Sequence, residues 1–164
     1  TVFIGPCIAK KNEAMGQYIG ELNYVLTFEE LYAMLCAAGV ASGGDVAGEE
    51  DATRYGKGFA LSGGVTAAVN RVLEEQGKPG SATALPCNGA DECRKALMLL
   101  KAGKISEDFI EGMFCTGGCM GGPANLNELQ KSRKVFETRL KGADNISANV
   151  RERGADTADV HRHG

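Results

Sequence analysis

The segment Glu111-Gly112-Met113-Phe114-Cys115-Thr116-Gly117-Gly118-Cys119-Met120-Gly121-Gly122-Pro123 constrains this chain more than any other. It sets two cysteines four positions apart among five glycines. Glycine lets backbone come close to a bulky object and leaves amide N–H donors exposed. Thiolates are soft ligands suited to iron–sulfur clusters, zinc or copper. The segment reads as a loop that wraps something inorganic and sulfur-rich. A purely packed role fits poorly, because a buried structural cysteine needs neighbours with bulk.

The chain has 164 residues and 17.2 kDa, with 43% apolar and 24% charged residues. That is one domain's worth, large enough to bury a real core. A net charge of −3 leaves no basic footprint for nucleic acid, and no apolar run approaches the ~18 residues of a membrane helix. The opening Thr1-Val2-Phe3-Ile4 is already strand-like and lacks an initiator Met, so the chain reads as a piece of a longer protein. Six cysteines could suggest a disulfide framework, but such frameworks belong to small secreted chains that cannot build a core. Their placement beside Gly and Pro favours a reduced, cytoplasmic setting with some of them metal-bound.

Along the chain, Val2–Ile4 and Tyr24–Leu26 read as short strands. Thr27 and Glu30 form a capping box for a helix over 28–38. A glycine-rich loop covers 39–63 and carries the acidic run Glu49-Glu50-Asp51. Val65, Ala68, Val69, Val72 and Leu73 then follow a helical period that Gly77-Lys78-Pro79-Gly80 ends. Thr83–Leu85 is a third strand, finishing at Pro86-Cys87. The next helix carries Cys93, Ala96, Leu97 and Leu100 on its apolar stripe. Phe109-Ile110 starts a fourth strand, which feeds the Cys/Gly loop, and a last helix spans 124–141 with Leu126, Leu129, Phe136 and Leu140. The domain thus covers 1–141, and a polar C-terminal segment covers 142–164. Strands alternating with helices predict an α/β fold with a mostly parallel sheet flanked by helices. Ligands of such sheets sit beyond the carboxyl ends of the strands, where Cys7, Cys87 and Cys115 all fall.

The second chemistry-bearing motif is Gly5-Pro6-Cys7-Ile8-Ala9-Lys10-Lys11. A cation three residues from a thiol favours its thiolate and metal-bound forms, and it could also donate to an anionic ligand. Cys36 and Cys93 read as core residues, and Cys87 reads either as core or as a strand-end ligand. Ser62-Gly63-Gly64 is similar to a phosphate-cradling turn at a helix start, although no basic residue closes it. His161 and His163 lie in the polar tail, which leaves no Cys/His or Ser/His/Asp nucleophile set.

At this point the motifs resemble a known family. Gly5-Pro6-Cys7-Ile8-Ala9-Lys10-Lys11-Asn12-Glu13 resembles the second signature of the iron-only hydrogenases, and Glu111 to Cys119 resembles their third. Ser62-Gly63-Gly64-Val65, with the Ala-rich helix and Arg71 after it, is similar to the GGV-type helix start between the two. The resemblance implies the carboxyl-terminal part of the active-site domain, one lobe of a larger two-lobed domain. It implies Cys7, Cys115 and Cys119 as ligands of a 4Fe–4S cubane, with Cys119 bridging to a two-iron subcluster. Lys10 is then implied to donate to a cyanide of that unit, and Met113 to pack beside its carbonyl face.

The implied reaction is reversible formation and oxidation of H2. The implied partners are an upstream half of the same domain with the fourth cysteine, an electron carrier such as ferredoxin, and cluster-maturation proteins. Gly5 stands where the family has Met, and Met120-Gly121-Gly122-Pro123-Ala124-Asn125 departs from the prototypical enzymes. Those departures resemble the divergent, sensory-type branches. The isolated chain is expected to be inactive and free of cofactor. Two other classes fit the same motifs: a hydrogenase-like iron–sulfur assembly protein, and a non-catalytic hydrogen or redox sensor.

Overall fold

The structure, a computed structural model, describes residues 1–16, 22–40, 52–140, 144–146 and 148. In chain order the elements are β1 (Val2–Ile4), α1 (Ala9–Met15), β2 (Tyr24–Leu26), α2 (Phe28–Ala37), α3 (Arg54–Gly58), α4 (Gly64–Glu75), β3 (Ala84–Asn88), α5 (Ala90–Lys101), β4 (Phe109–Met113) and α6 (Leu129–Thr138). A 3-10 turn at Gly118–Gly121 lies between β4 and α6. The α/β class expected from the alternation holds. The parallel strands form two separate pairs among the described residues, β1 with β2 and β3 with β4. Glu49-Glu50-Asp51, His161 and His163 lie outside the described residues, as does nearly all of 142–164.

Two local readings differ from the sequence expectation, and one stretch without an expected element is helical: after Ile8 comes α1, whose Ala, Lys, Glu and Met are good helix formers. Within the stretch read as loop over 39–63, Thr53 caps a short helix by accepting from the Gly56 amide at 3.0 Å. Helix α6 begins at Leu129, not near 124, because Asn125 is committed to holding the preceding loop.

The first pair of strands is tied to its helices by charge and capping. Thr27 Oγ1 accepts from the Glu30 amide at 3.2 Å, and the Glu30 carboxylate accepts from the Thr27 amide at 2.8 Å. Lys11, reaching from α1, donates to both Glu30 oxygens at 2.9 and 2.8 Å and to the Val25 carbonyl at 3.1 Å. One ammonium thus joins α1, β2 and the α2 cap.

The second pair is tied to α4 by Glu111. This carboxylate, on β4 and only 6% exposed, accepts from the amides of Gly63 at 3.0 Å, Val65 at 3.2 Å and Thr66 at 3.0 Å, and from the Thr66 hydroxyl at 2.5 Å. Those amides are the unpaired donors that every helix start must satisfy. The turn that resembled a phosphate cradle is therefore filled by the protein's own anion. At its other end, α4 holds the described C-terminal residues. Arg71 donates to the Asp144 carbonyl at 3.0 Å, and Glu75 accepts from the Ile146 amide at 2.8 Å.

The buried apolar side chains among the described residues are small: Ala68, Cys87, Ala96 and Ala124. The chain length allows a real core, and among the described residues its fully buried part is made of these small side chains. Leu97 and Leu100, expected on the buried stripe of α5, are 60% and 53% exposed, and Leu126 is 53% exposed. Of that stripe Ala96 is buried and Cys93 lies beside Gly112 of β4, whereas the two leucines stay exposed. Cys36, read as core, is exposed on α2, and Cys93 is half-buried.

Two predictions follow from these ties. Replacing Glu111 with Ala strands buried backbone donors and should lower unfolding stability by about 2–4 kcal/mol. E111Q should lose less. Urea denaturation reads both, and an unchanged midpoint for E111A would remove the carboxylate from its supporting role. Second, the hydrogen bonds from Lys11 and then from the Thr27 amide hold the Glu30 carboxyl below its ordinary value of 4.5. The stability this contributes is present above that value and is lost as pH falls through the lower folded value. Thermal unfolding should therefore show wild type above E30Q at neutral pH, with the gap closing in acid.

Candidate metal centre

Cys7 follows β1 directly, behind the buried Gly5 and Pro6, and heads α1. Cys115 sits two residues past the end of β4, and Cys119 lies in the 3-10 turn. The loop carrying the last two is closed by its own backbone. Gly118 N–H donates to the Cys115 carbonyl at 2.9 Å, and Gly122 N–H donates to the Cys119 carbonyl at 3.0 Å. Asn125 Nδ2 donates to the carbonyls of Cys119 and Met120 at 2.8 and 2.9 Å. Asn88 Oδ1 accepts from the Gly117 amide at 2.7 Å. Sequence reasoning missed both asparagines as loop organisers; an Asn beside a Gly/Pro run is the local signal that could have found them.

The glycines of this loop pack against the chain itself. A Cβ on Gly118, whose φ is +82°, would lie 2.4 Å from the Ala60 carbonyl oxygen. One on Gly121 would lie 2.1 Å from the Thr116 oxygen, and one on Gly122 would lie 2.7 Å from the Pro6 oxygen. The close approaches of Gly118, Gly121 and Gly122 are thus made to backbone oxygens of the chain itself. Cys119 N–H donates to the Ala60 carbonyl at 2.7 Å, and Ala124 N–H donates to the Pro6 carbonyl at 3.3 Å. These contacts bring the strand-end loop of the first sheet against that of the second.

The electrostatics of Cys119 register the result. Burial pushes its thiol pKa up, the neighbouring Cys7 and Cys115 sulfurs push it further, and a backbone hydrogen bond and the Lys10 ammonium pull it down. Three free thiols and one ammonium thus share one neighbourhood. Lys10 also pairs with Glu13 on its own helix at 2.5 Å. Met113 ends β4, is half-buried, and accepts at its carbonyl from the Gly89 amide at 2.8 Å.

The remaining cysteines lie elsewhere. Cys87 is the last residue but one of β3, opposite Gly112, and not beyond the strand's end; its thiol pKa is raised by burial, then by Cys93 and Glu92. Cys36 sits beside the Tyr32 hydroxyl, whose pKa it raises through a hydrogen bond.

Among the described residues no three Cys, His, Asp or Glu side chains close tightly enough to hold a single metal ion. A lone tetrahedral ion with metal–sulfur bonds of ~2.3 Å requires sulfurs roughly 4 Å apart. A polynuclear cluster spreads its thiolates over its corners. Three thiols beside one cation are the donor set such a cluster would take up as thiolates.

Comparison with known proteins shows the family and the fold of the chain. The family model "iron only hydrogenase large subunit, C-terminal domain" matches residues 1–123. No curated protein matches the chain. Among solved structures, the chain is similar to an FeFe-hydrogenase studied for oxygen inactivation through modification and degradation of the 2Fe subcluster of its H cluster. There the identity is 19% and the TM-score 0.61, over 93% of this chain and 56% of the other. It is likewise similar to a HydA(deltaEFG) structure concerned with stepwise H-cluster assembly, at 19% identity and TM-score 0.59, over 92% and 56%. The chain therefore spans 56% of the length of each solved structure, and at this identity the likeness concerns the fold. With the family model matching residues 1–123 of 164, this chain belongs to the family of the iron-only hydrogenase large subunit, C-terminal domain.

Proposed function

We propose that the chain is the thiolate-rich lobe of an iron-only hydrogenase active-site domain, whose parent protein interconverts protons, electrons and H2. The observation that carries this reading is the convergence of Cys7, Cys115 and Lys10 on Cys119. In it, Cys7, Cys115 and Cys119 hold a 4Fe–4S cubane, and Cys119 is shared with the two-iron subcluster. When bound, the cofactor supplies electron storage, an open Lewis-acidic iron and a bridgehead amine as proton acceptor. Lys10 holds positive charge against an anionic cyanide, an attraction that grows as water is excluded. Met113, carried by β4 two residues before Cys115, covers the carbonyl side. The fourth thiolate, a ferredoxin-type electron carrier and the maturation proteins come from outside this chain.

A second reading draws on one observation. Lys10 already has Glu13 as counter-ion at 2.5 Å, so a lobe that keeps the cubane alone, in an assembly or sensor protein, also accounts for the site. Infrared absorption of the full-length protein separates the two: carbonyl and cyanide bands support the hydrogenase, and a cluster-loaded protein without them supports the second reading.

Anaerobic reconstitution of the chain with iron and sulfide tests the ligand set. Cys7→Ser, Cys115→Ser and Cys119→Ser should each weaken iron retention by at least the ~10–100-fold typical of losing even an outer-shell partner. Cys36→Ser should leave it unchanged. Equal retention in all four variants would overturn the assignment. The chain alone, with three converging thiolates, should evolve no H2.

A further inference from the structure

Cys87 and Cys93 have no part in the proposed centre, yet the fold sets them together. In the parallel register of β3 and β4, Cys87 lies directly opposite Gly112. Residues opposite one another in a sheet project to the same face, since faces alternate along each strand. The Cβ position of Gly112 lies 3.7 Å from Cys93 Sγ. Cys93 therefore lays its sulfur on the face to which Cys87 points, in room left by the missing side chain of Gly112. Gly89, at φ +107°, makes the turn that folds α5 back over this face. Cys87 is 3% exposed, whereas Cys93 is half-buried. One sulfur is reachable and the other waits behind it.

We infer that Cys87 and Cys93 form a redox-active dithiol that a hydroperoxide oxidises to an intramolecular disulfide. The Cys93 thiolate attacks the outer peroxide oxygen; an S–O bond forms, the O–O bond breaks, and an alcohol or water departs. Cys93 is then a sulfenic acid. The Cys87 sulfur attacks that sulfur; an S–S bond forms, the S–O bond breaks, and the hydroxyl leaves as water with the Cys87 proton. Two thiols have lost two electrons, and the hydroperoxide has been reduced to an alcohol and water.

The pair sits beside the candidate centre without belonging to it. Asn88, next to Cys87, holds the Gly117 amide, and Gly89 holds the Met113 carbonyl. A bridge across this turn fixes the two residues that orient the loop of Cys115 and Cys119. The inference stands on sheet register and sulfur position and is independent of the hydrogenase reading.

The test treats the fully reduced chain, free of iron, with one equivalent of hydrogen peroxide, then blocks remaining thiols with N-ethylmaleimide under denaturing conditions. No Lys or Arg separates Cys87 from Cys93, so trypsin leaves both on one peptide. The expected peptide is unlabelled, lighter by two hydrogens, and becomes doubly labelled when dithiothreitol precedes the blocking step. In C87S, Cys93 should stop as a sulfenic acid that dimedone traps. Three outcomes overturn the inference: both cysteines labelled after peroxide, Cys93 bridged to a different cysteine, or wild-type Cys93 trapped by dimedone as readily as in C87S. The cofactor's presence or absence affects none of these readouts.

Discussion

The Glu111 carboxylate decides how the candidate centre is held. A helix start leaves several N–H groups without partners, and its dipole favours a negative charge there. Helix α4 begins at Gly63-Gly64, which offers no capping side chain of its own. Its donors are met by a buried acid from β4 that accepts four hydrogen bonds. Because Glu111 lies two residues before Met113 and four before Cys115, the bond that caps the helix also fixes where β4 delivers its chemistry. Gly64 lets α3 close on the same helix start. A Cβ there would sit 1.9 Å from the Gly58 carbonyl oxygen, so α3 and α4 meet with no room for a side chain.

The same economy of side chains runs through the thiol loop. Gly118, Gly121 and Gly122 are each pressed against carbonyl oxygens of Ala60, Thr116 and Pro6. Cores built from interlocked leucines hold their shape through dispersion and burial. This region holds its shape through backbone hydrogen bonds and steric exclusion, with the buried Ala124 against Pro6. Thiols carried on such a loop have little freedom to wander, which is what a ligand set requires if it is to present several sulfurs to one object.

Much of this was legible in the sequence. The capping box at Thr27 and Glu30, the period of Val65 to Leu73, and the strands beginning at Val2, Tyr24 and Phe109 all appear, because each rests on interactions local in the chain. The motifs around Cys7 and Cys115–Cys119 also marked residues that the fold brings together. What escaped depends on distant partners. No pattern near Glu111 shows that it caps a helix that starts nearly fifty positions earlier. The glycine run announces close approach but not what is approached. The turn at Gly63-Gly64 has the look of an anion site because it is one, and only the tertiary fold reveals that the anion is internal. Leu97 and Leu100 illustrate the opposite failure: their helical spacing is right, but a two-stranded sheet covers only the Ala96 line of α5.

The architecture also explains why the cysteines need not be held equally. Cys115 and Cys119 belong to one loop, braced by Asn125, Asn88 and the Ala60 carbonyl. Cys7 comes from the other strand pair and meets that loop through Pro6, against Gly122 and the Ala124 amide. Among the described residues the two halves thus meet along a backbone seam. Any cluster bound by all three sulfurs would span that seam and, by binding the folded arrangement alone, would strengthen it. Stability and metal loading would then be coupled at Cys7 more strongly than within the loop, since a ligand at Cys7 would join the two strand pairs across the seam of Pro6, Gly122 and Ala124.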